Sequence, residues 1–115
     1  MFVFGDPVDN ARILLDTILN EPGPTVPDTH YDEMSEQELR NLNAYLHATL
    51  SHALRNDLGD DVVAVLTEWY DDVFRALAGV SERFRELVLE GSVFPPGGPG
   101  VRAKYVAFAK EASES

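Results

Sequence analysis

Reactive chemistry in this chain has to come from carboxylates, histidines and hydroxyls, because its 115 residues include 20 Asp and Glu and three His but no Cys. Without cysteine there is no disulfide, no thiolate metal site and no cysteine nucleophile. Two pairs of acids stand one helical turn apart, Glu33 with Glu36 and Glu68 with Asp71. Asp28, His30 and Asp32 alternate like the start of a calcium-binding loop, but Glu33 occupies the glycine position and Leu39 the place of the bidentate acid. His47 and His52 are separated by about 140° around a helix, too far to grip one ion together. No serine stands in a nucleophile elbow, and the prolines of "PPGGPG" remove amides that a phosphate loop needs. The expectation is a protein without catalytic residues, metal or cofactor.

Taken together, "ExxE" at Glu33 and Glu36 and "ExxD" at Glu68 and Asp71 resemble the magnesium-binding pattern of the helical MazG-type nucleotide pyrophosphatases. That resemblance implies helical carboxylates holding Mg²⁺ against a triphosphate, which needs several oxygen ligands on facing helices. Ser35 stands between Glu33 and Glu36 as a helix cap, so Glu33 falls outside the helix whose first turn holds Glu36. First-turn acids and a solvated face account for the same spacing. A magnesium-dependent nucleotide pyrophosphatase is therefore the third of three functional readings.

The elements that would position these residues are all helical. Asp6 caps and Pro7 opens a helix over 6–20, with Val8, Ala11, Leu15 and Ile18 on one stripe. Residues 21–34, with three prolines and a glycine, read as a long loop. "SEQE" at 35–38 is a capping box that starts the second helix, and Leu39, Leu42, Leu46, Leu50, Ala53 and Leu54 form its buried stripe. Beyond Gly59, Asp60 or Asp61 is expected to cap a third helix ending at Gly79 as C-terminal cap. Its broad apolar face, from Val62 to Leu77, makes it the central helix. Ser81 starts a fourth, shorter helix with Phe84, Leu87 and Val88 inward. The pattern predicts an all-α fold: a four-helix acidic bundle over 1–92, a Pro/Gly hinge over 93–100 and an amphipathic C-terminal helix over 101–115.

An apolar fraction of 44% in a chain of this size predicts one domain with a single core. The longest apolar run is "VVAVL" at 62–66, far short of the ~20 residues that cross a bilayer. "MFVFGDP" has no basic flank and is not expected to be a secretory signal. A cytoplasmic setting, bacterial or phage-like, is the expectation from small size, absent cysteine and seven arginines against two lysines.

The net charge of −11 repels polyanions, so neither nucleic acid nor an anionic membrane surface is an expected partner. The charge is uneven. Residues 1–100 hold eighteen acids and six bases, whereas 101–115 hold three bases and two acids, and 39–56 hold no acid at all. On the second helix, Arg40, Asn43, His47, Ser51 and Arg55 make one acid-free polar stripe; Asp71 and Arg75 on the third read as a supporting pair one turn apart. In the C-terminal segment, Val101, Tyr105 and Phe108 recur at helical spacing among Arg102, Lys104 and Lys110. Burying those three side chains is worth on the order of 5 kcal/mol, against backbone ordering of about 1 kcal/mol or more per residue. The segment therefore needs a surface: its own bundle, a neighbouring subunit in a homo-oligomer, or a groove on another protein. Phe94 and the N-terminal "MFVF" add apolar surface that can join it. The leading reading is a non-enzymatic interaction module, a small adaptor, assembly or regulatory protein that docks a protein partner through the C-terminal helix or the second helix. The alternative is an acidic inhibitor or immunity-type protein that blocks a basic nucleic-acid-handling or toxin partner.

Overall fold

The computed structural model describes residues 30–97 and 99–114, together with the helical residues Asp16 and Asn20. The helix predicted over 6–20 otherwise lies outside the described residues, as do the "MFVF" segment, Asp28 and most of the 21–34 loop. Where that loop is described, Tyr31–Glu33 forms a 3₁₀ turn. Beyond it come four helices: α1 (Glu36–Asn56), α2 (Asp60–Val80), α3 (Glu82–Glu90) and, after a 3₁₀ turn at Pro99–Val101, α4 (Arg102–Glu114). No strand occurs among the described residues, so the fold is all-α. None of these helices is long and apolar enough to cross a membrane.

Each boundary has a local cause. Ser35 Oγ accepts from Glu38 N at 3.1 Å while Glu38 Oε1 accepts from Ser35 N at 2.9 Å, completing the predicted capping box. α1 stops at Asp57, which takes the left-handed conformation (φ 50°) and donates its N–H to Ala53 O. Gly59, at φ 111°, then reverses the chain as the N-cap of α2, with no side-chain cap. Asp60 and Asp61, expected from the sequence to cap this helix, do not. They sit inside its first turn, where the positive helix end favours them.

Gly79 likewise does not end α2. Its φ is helical, the helix runs on to Val80, and Ser81 makes the break with extended dihedrals of φ −120° and ψ 104°. Ser81 is buried and serves three neighbours. Its N–H donates to Leu77 O at 2.9 Å, and its Oγ accepts from Phe84 N at 3.1 Å and from Arg40 Nη2 at 3.2 Å. Arg85 Nη1 satisfies the Ala78 carbonyl of the same helix end at 2.7 Å. α3 closes on Gly91 in the left-handed region, with Ser92 N–H donating back to Leu87 O at 2.9 Å.

α2 is the hub, as its broad apolar face predicts. It packs along α1 on one side and against α3 and α4 on the other. Val65, Leu66, Trp69, Tyr70, Val73, Phe74, Leu77 and Ala78 are all buried. α1 contributes Leu39, Leu42, Leu46, Leu50 and Ala53, but Leu54, predicted in the same stripe, is 42% exposed. At about 100° per residue, Ala53 and Leu54 cannot both face α2 squarely, and the smaller one fits the close approach. Phe74 centres an aromatic cluster, with ring centroids 4.9 Å from Phe84, 4.8 Å from Tyr105 and 6.0 Å from Tyr70.

α4 docks on its own bundle, the first of the three surfaces that the sequence allows. Tyr105 is 1% exposed, and its hydroxyl donates to Asp71 Oδ1 at 2.5 Å. Lys104 Nζ reaches Asp71 Oδ2 at 2.9 Å. Asp71 therefore serves α4 and not Arg75. Arg75 instead lies over the Phe108 ring, 4.3 Å from its centroid, and faces Glu111 at 3.9 Å.

Candidate docking site

Among the described residues, the acids and histidines that the sequence singles out lie apart from one another. Glu33 sits in the 3₁₀ turn ahead of the Ser35 cap, and Glu36 pairs with Arg40 at 2.8 Å. Glu68 is exposed and Asp71 holds α4. His52 turns toward Asn56, with Nδ1 3.1 Å from Asn56 Nδ2, while His47 turns the other way. Among the described residues no three His, Asp or Glu converge as a metal would require.

The polar stripe of α1 divides along its length. Arg40, Asn43 and His47 are half-buried rather than displayed outward. Arg40 is held by Glu36 and Ser81. Asn43 lies beside the buried Tyr70 hydroxyl, although neither Asn43 Nδ2 nor Tyr70 Oη attains hydrogen-bond geometry. Burial pushes Tyr70 up to about 12; the Asn43 amide pulls it down and the Asp71 charge adds to the rise. The His47 ring meets Tyr70 edge-on at 6.2 Å, and its Nε2 stands 2.8 Å from Phe94 O. A carbonyl only accepts, so Nε2 carries the proton and donates.

That bond fixes the 93–97 segment across the C-terminal half of α1. Val93 packs on the core, while Phe94 projects outward and is 70% exposed. Two residues further along the loop, Ser51, Leu54 and Arg55 of α1 face Pro96 and Gly97 across an open groove of about 530 Å³. Gly97 adopts φ 109°, and a Cβ there would stand 3.2 Å from Val101 Cγ1, so Val101 closes the far side of the loop. Arg102 extends back over Phe94, 5.9 Å from the ring centroid, against the backbone of Gly91.

Of the side chains predicted to bind a partner, this arrangement gathers Ser51, Arg55, Phe94 and Arg102. Tyr105 is in the core, Val101 and Phe108 are half-buried in packing, and Lys104 is tied to Asp71. Leu54, Pro96 and Gly97 are the lining residues that sequence reasoning missed. The sequence pattern does not mark Leu54 as exposed, since Ala53 and Leu54 stand three and four residues after Leu50, the spacing of a buried stripe. No family model, curated protein or solved structure matches the chain.

Proposed function

We propose that this protein is a non-enzymatic interaction module that receives a segment of a protein partner in the groove between α1 and the 93–97 loop. The observation that carries the reading is Phe94, whose ring is 70% exposed while its own carbonyl is held by His47 at 2.8 Å. A large aromatic side chain in water loses the contribution that burial would bring, about 1.5–3 kcal/mol. Holding its backbone still reduces the ordering that a partner must impose on binding. Aromatic and arginine side chains together are also the types that dominate binding energy at protein interfaces. Of the acids that resemble a magnesium site, Glu36 is engaged by Arg40 and Asp71 by α4, which supports the non-enzymatic half of the reading.

The test is an NMR titration of the ¹⁵N-labelled full chain against a panel of short peptides, each with one aromatic or leucine anchor. Shift changes confined to 47–55 and 94–102, and lost in Phe94→Ser, are the expected result. Changes scattered over the molecule, or unaltered by Phe94→Ser, would sink it. Light scattering provides a second arm: a dimer dissolved by Phe94→Ser would assign the groove to self-association instead.

A further inference from the structure

Cations are scarce in this acidic chain, nine Lys and Arg against 20 Asp and Glu, so an arginine left without a carboxylate calls for a reason. Among the described residues, Arg40, Arg75, Arg83 and Lys104 each lie within 4.0 Å of a carboxylate oxygen, and Arg85 donates to the Ala78 carbonyl. Arg55, Arg102 and Lys110 make no such pair, and the two arginines both stand against the 93–97 loop. Arg55 lines the groove on the α1 side. Arg102 rises over Phe94 from the start of α4. Each has an exposed apolar side chain beside it: Leu54, at 42%, lines the groove next to Arg55, and Phe94, at 70%, lies under Arg102.

We infer that the groove takes an acidic peptide segment, with an apolar anchor seated against Leu54 and Phe94 and carboxylates on either side of it meeting Arg55 and Arg102. The inference rests on the docking reading above and names its partner's chemistry. A guanidinium presents a planar fork of N–H donors that matches a carboxylate in bidentate fashion. Two such forks along one loop, each next to an exposed apolar side chain, select a ligand that combines carboxylates with an apolar anchor. Phosphate has the same local complementarity. A nucleic acid or an anionic bilayer, however, must bring many charges up to a body of net charge −11, whereas a short segment brings few. At physiological ionic strength, charges further apart than about 8 Å are largely screened, so the contacts at the two arginines outweigh the distant repulsion.

The experiment selects twelve-residue peptides from a randomised display library on the immobilised full chain, with counter-selection on Phe94→Ser. Expected are peptides with Asp or Glu flanking one aromatic or aliphatic residue. Their affinity, read by fluorescence anisotropy at physiological salt, should fall about tenfold or more in Arg55→Gln/Arg102→Gln, and likewise when their acids become amides. Enrichment of neutral or basic peptides that still need Phe94 would leave the docking reading standing and overturn the acidic one. If no enriched peptide depends on Phe94, both fall. A thymidine oligonucleotide or phosphatidylserine vesicles binding through the same two arginines, more tightly than any selected peptide, would assign the site to phosphate and overturn the inference as well.

Discussion

Ser81 concentrates more structure than any other single polar residue described. It terminates α2, caps α3 and accepts the Arg40 guanidinium, all while buried. Ser81→Ala removes the acceptor shared by the Phe84 amide and Arg40, and is expected to destabilise the fold by about 1–2 kcal/mol. Urea denaturation tracked by circular dichroism checks this; a change within error would mean that the helix break needs no cap. Asp72 offers the opposite sign. Burial foremost, then the neighbouring Asp71 charge, raises its carboxyl above the usual range, with Arg75 opposing. The fold thus prefers protonated Asp72, so its contribution is fully present below the unfolded value and is lost as pH rises through the folded one. Asp72→Asn should accordingly melt at a higher temperature than the parent at neutral pH and show no gain near pH 3, where both side chains are neutral. A gain that persists in acid would point to packing as the cause.

At the scale of elements, α4 is held by Tyr105, Phe108 and Ala109 against the core and by the Asp71 carboxylate. Removing the Tyr105 hydroxyl leaves Asp71 Oδ1 without its partner on α4, and hydrogen bonds to charged groups are worth about 1.5–3 kcal/mol. Tyr105→Phe is expected to lose stability in that range while remaining helical. A chain ending at Gly91 uncovers Phe74 and Phe84 and should bind a hydrophobic dye as a monomer of lower melting temperature, by scattering and calorimetry. The helices themselves were legible in the sequence wherever a side chain creates the boundary, as at Ser35 and Ser81. They were misread at the two ends of α2. Gly79 resembles a C-cap by type, yet a glycine ends a helix only if the chain must turn left-handed there, and here the turn is imposed two residues later by Ser81. Asp60 resembles an N-cap, yet Gly59 already supplies the φ of 111° that the reversal needs. Long-range partners such as Asp71 with Tyr105 leave no local trace at all, which is why the i to i+4 reading of Asp71 with Arg75 looked sufficient.

At the scale of the whole molecule, the candidate groove was only half legible for a related reason. Acid-free composition over 39–56 and positive charge after residue 100 are sequence properties. Their convergence around Phe94 depends on α4 packing back over α2 and α3, a tertiary fact. That same packing has an alkaline signature. Tyr70 is pushed up to about 12, and Tyr105 is raised further, by burial first and then by its hydrogen bond to Asp71. An unfolded tyrosine ionises near 10. The native state therefore favours the neutral phenols: their contribution is complete below pH ~10 and is lost as pH rises from there toward the folded values. Thermal stability should hold nearly level up to pH ~9 and then decline steeply. Absorbance near 295 nm, which reports phenolate, should contain a component from Tyr70 and Tyr105 that rises only together with loss of the helical circular dichroism signal. Tyr105→Phe should diminish that component. General repulsion in an ever more anionic chain would also lower stability at high pH, but it would not tie phenolate formation to unfolding. Ionisation of all four tyrosines near pH 10 with the helices intact would contradict the burial of Tyr70 and Tyr105, and with it the seating of α4 that brings Arg102 over Phe94.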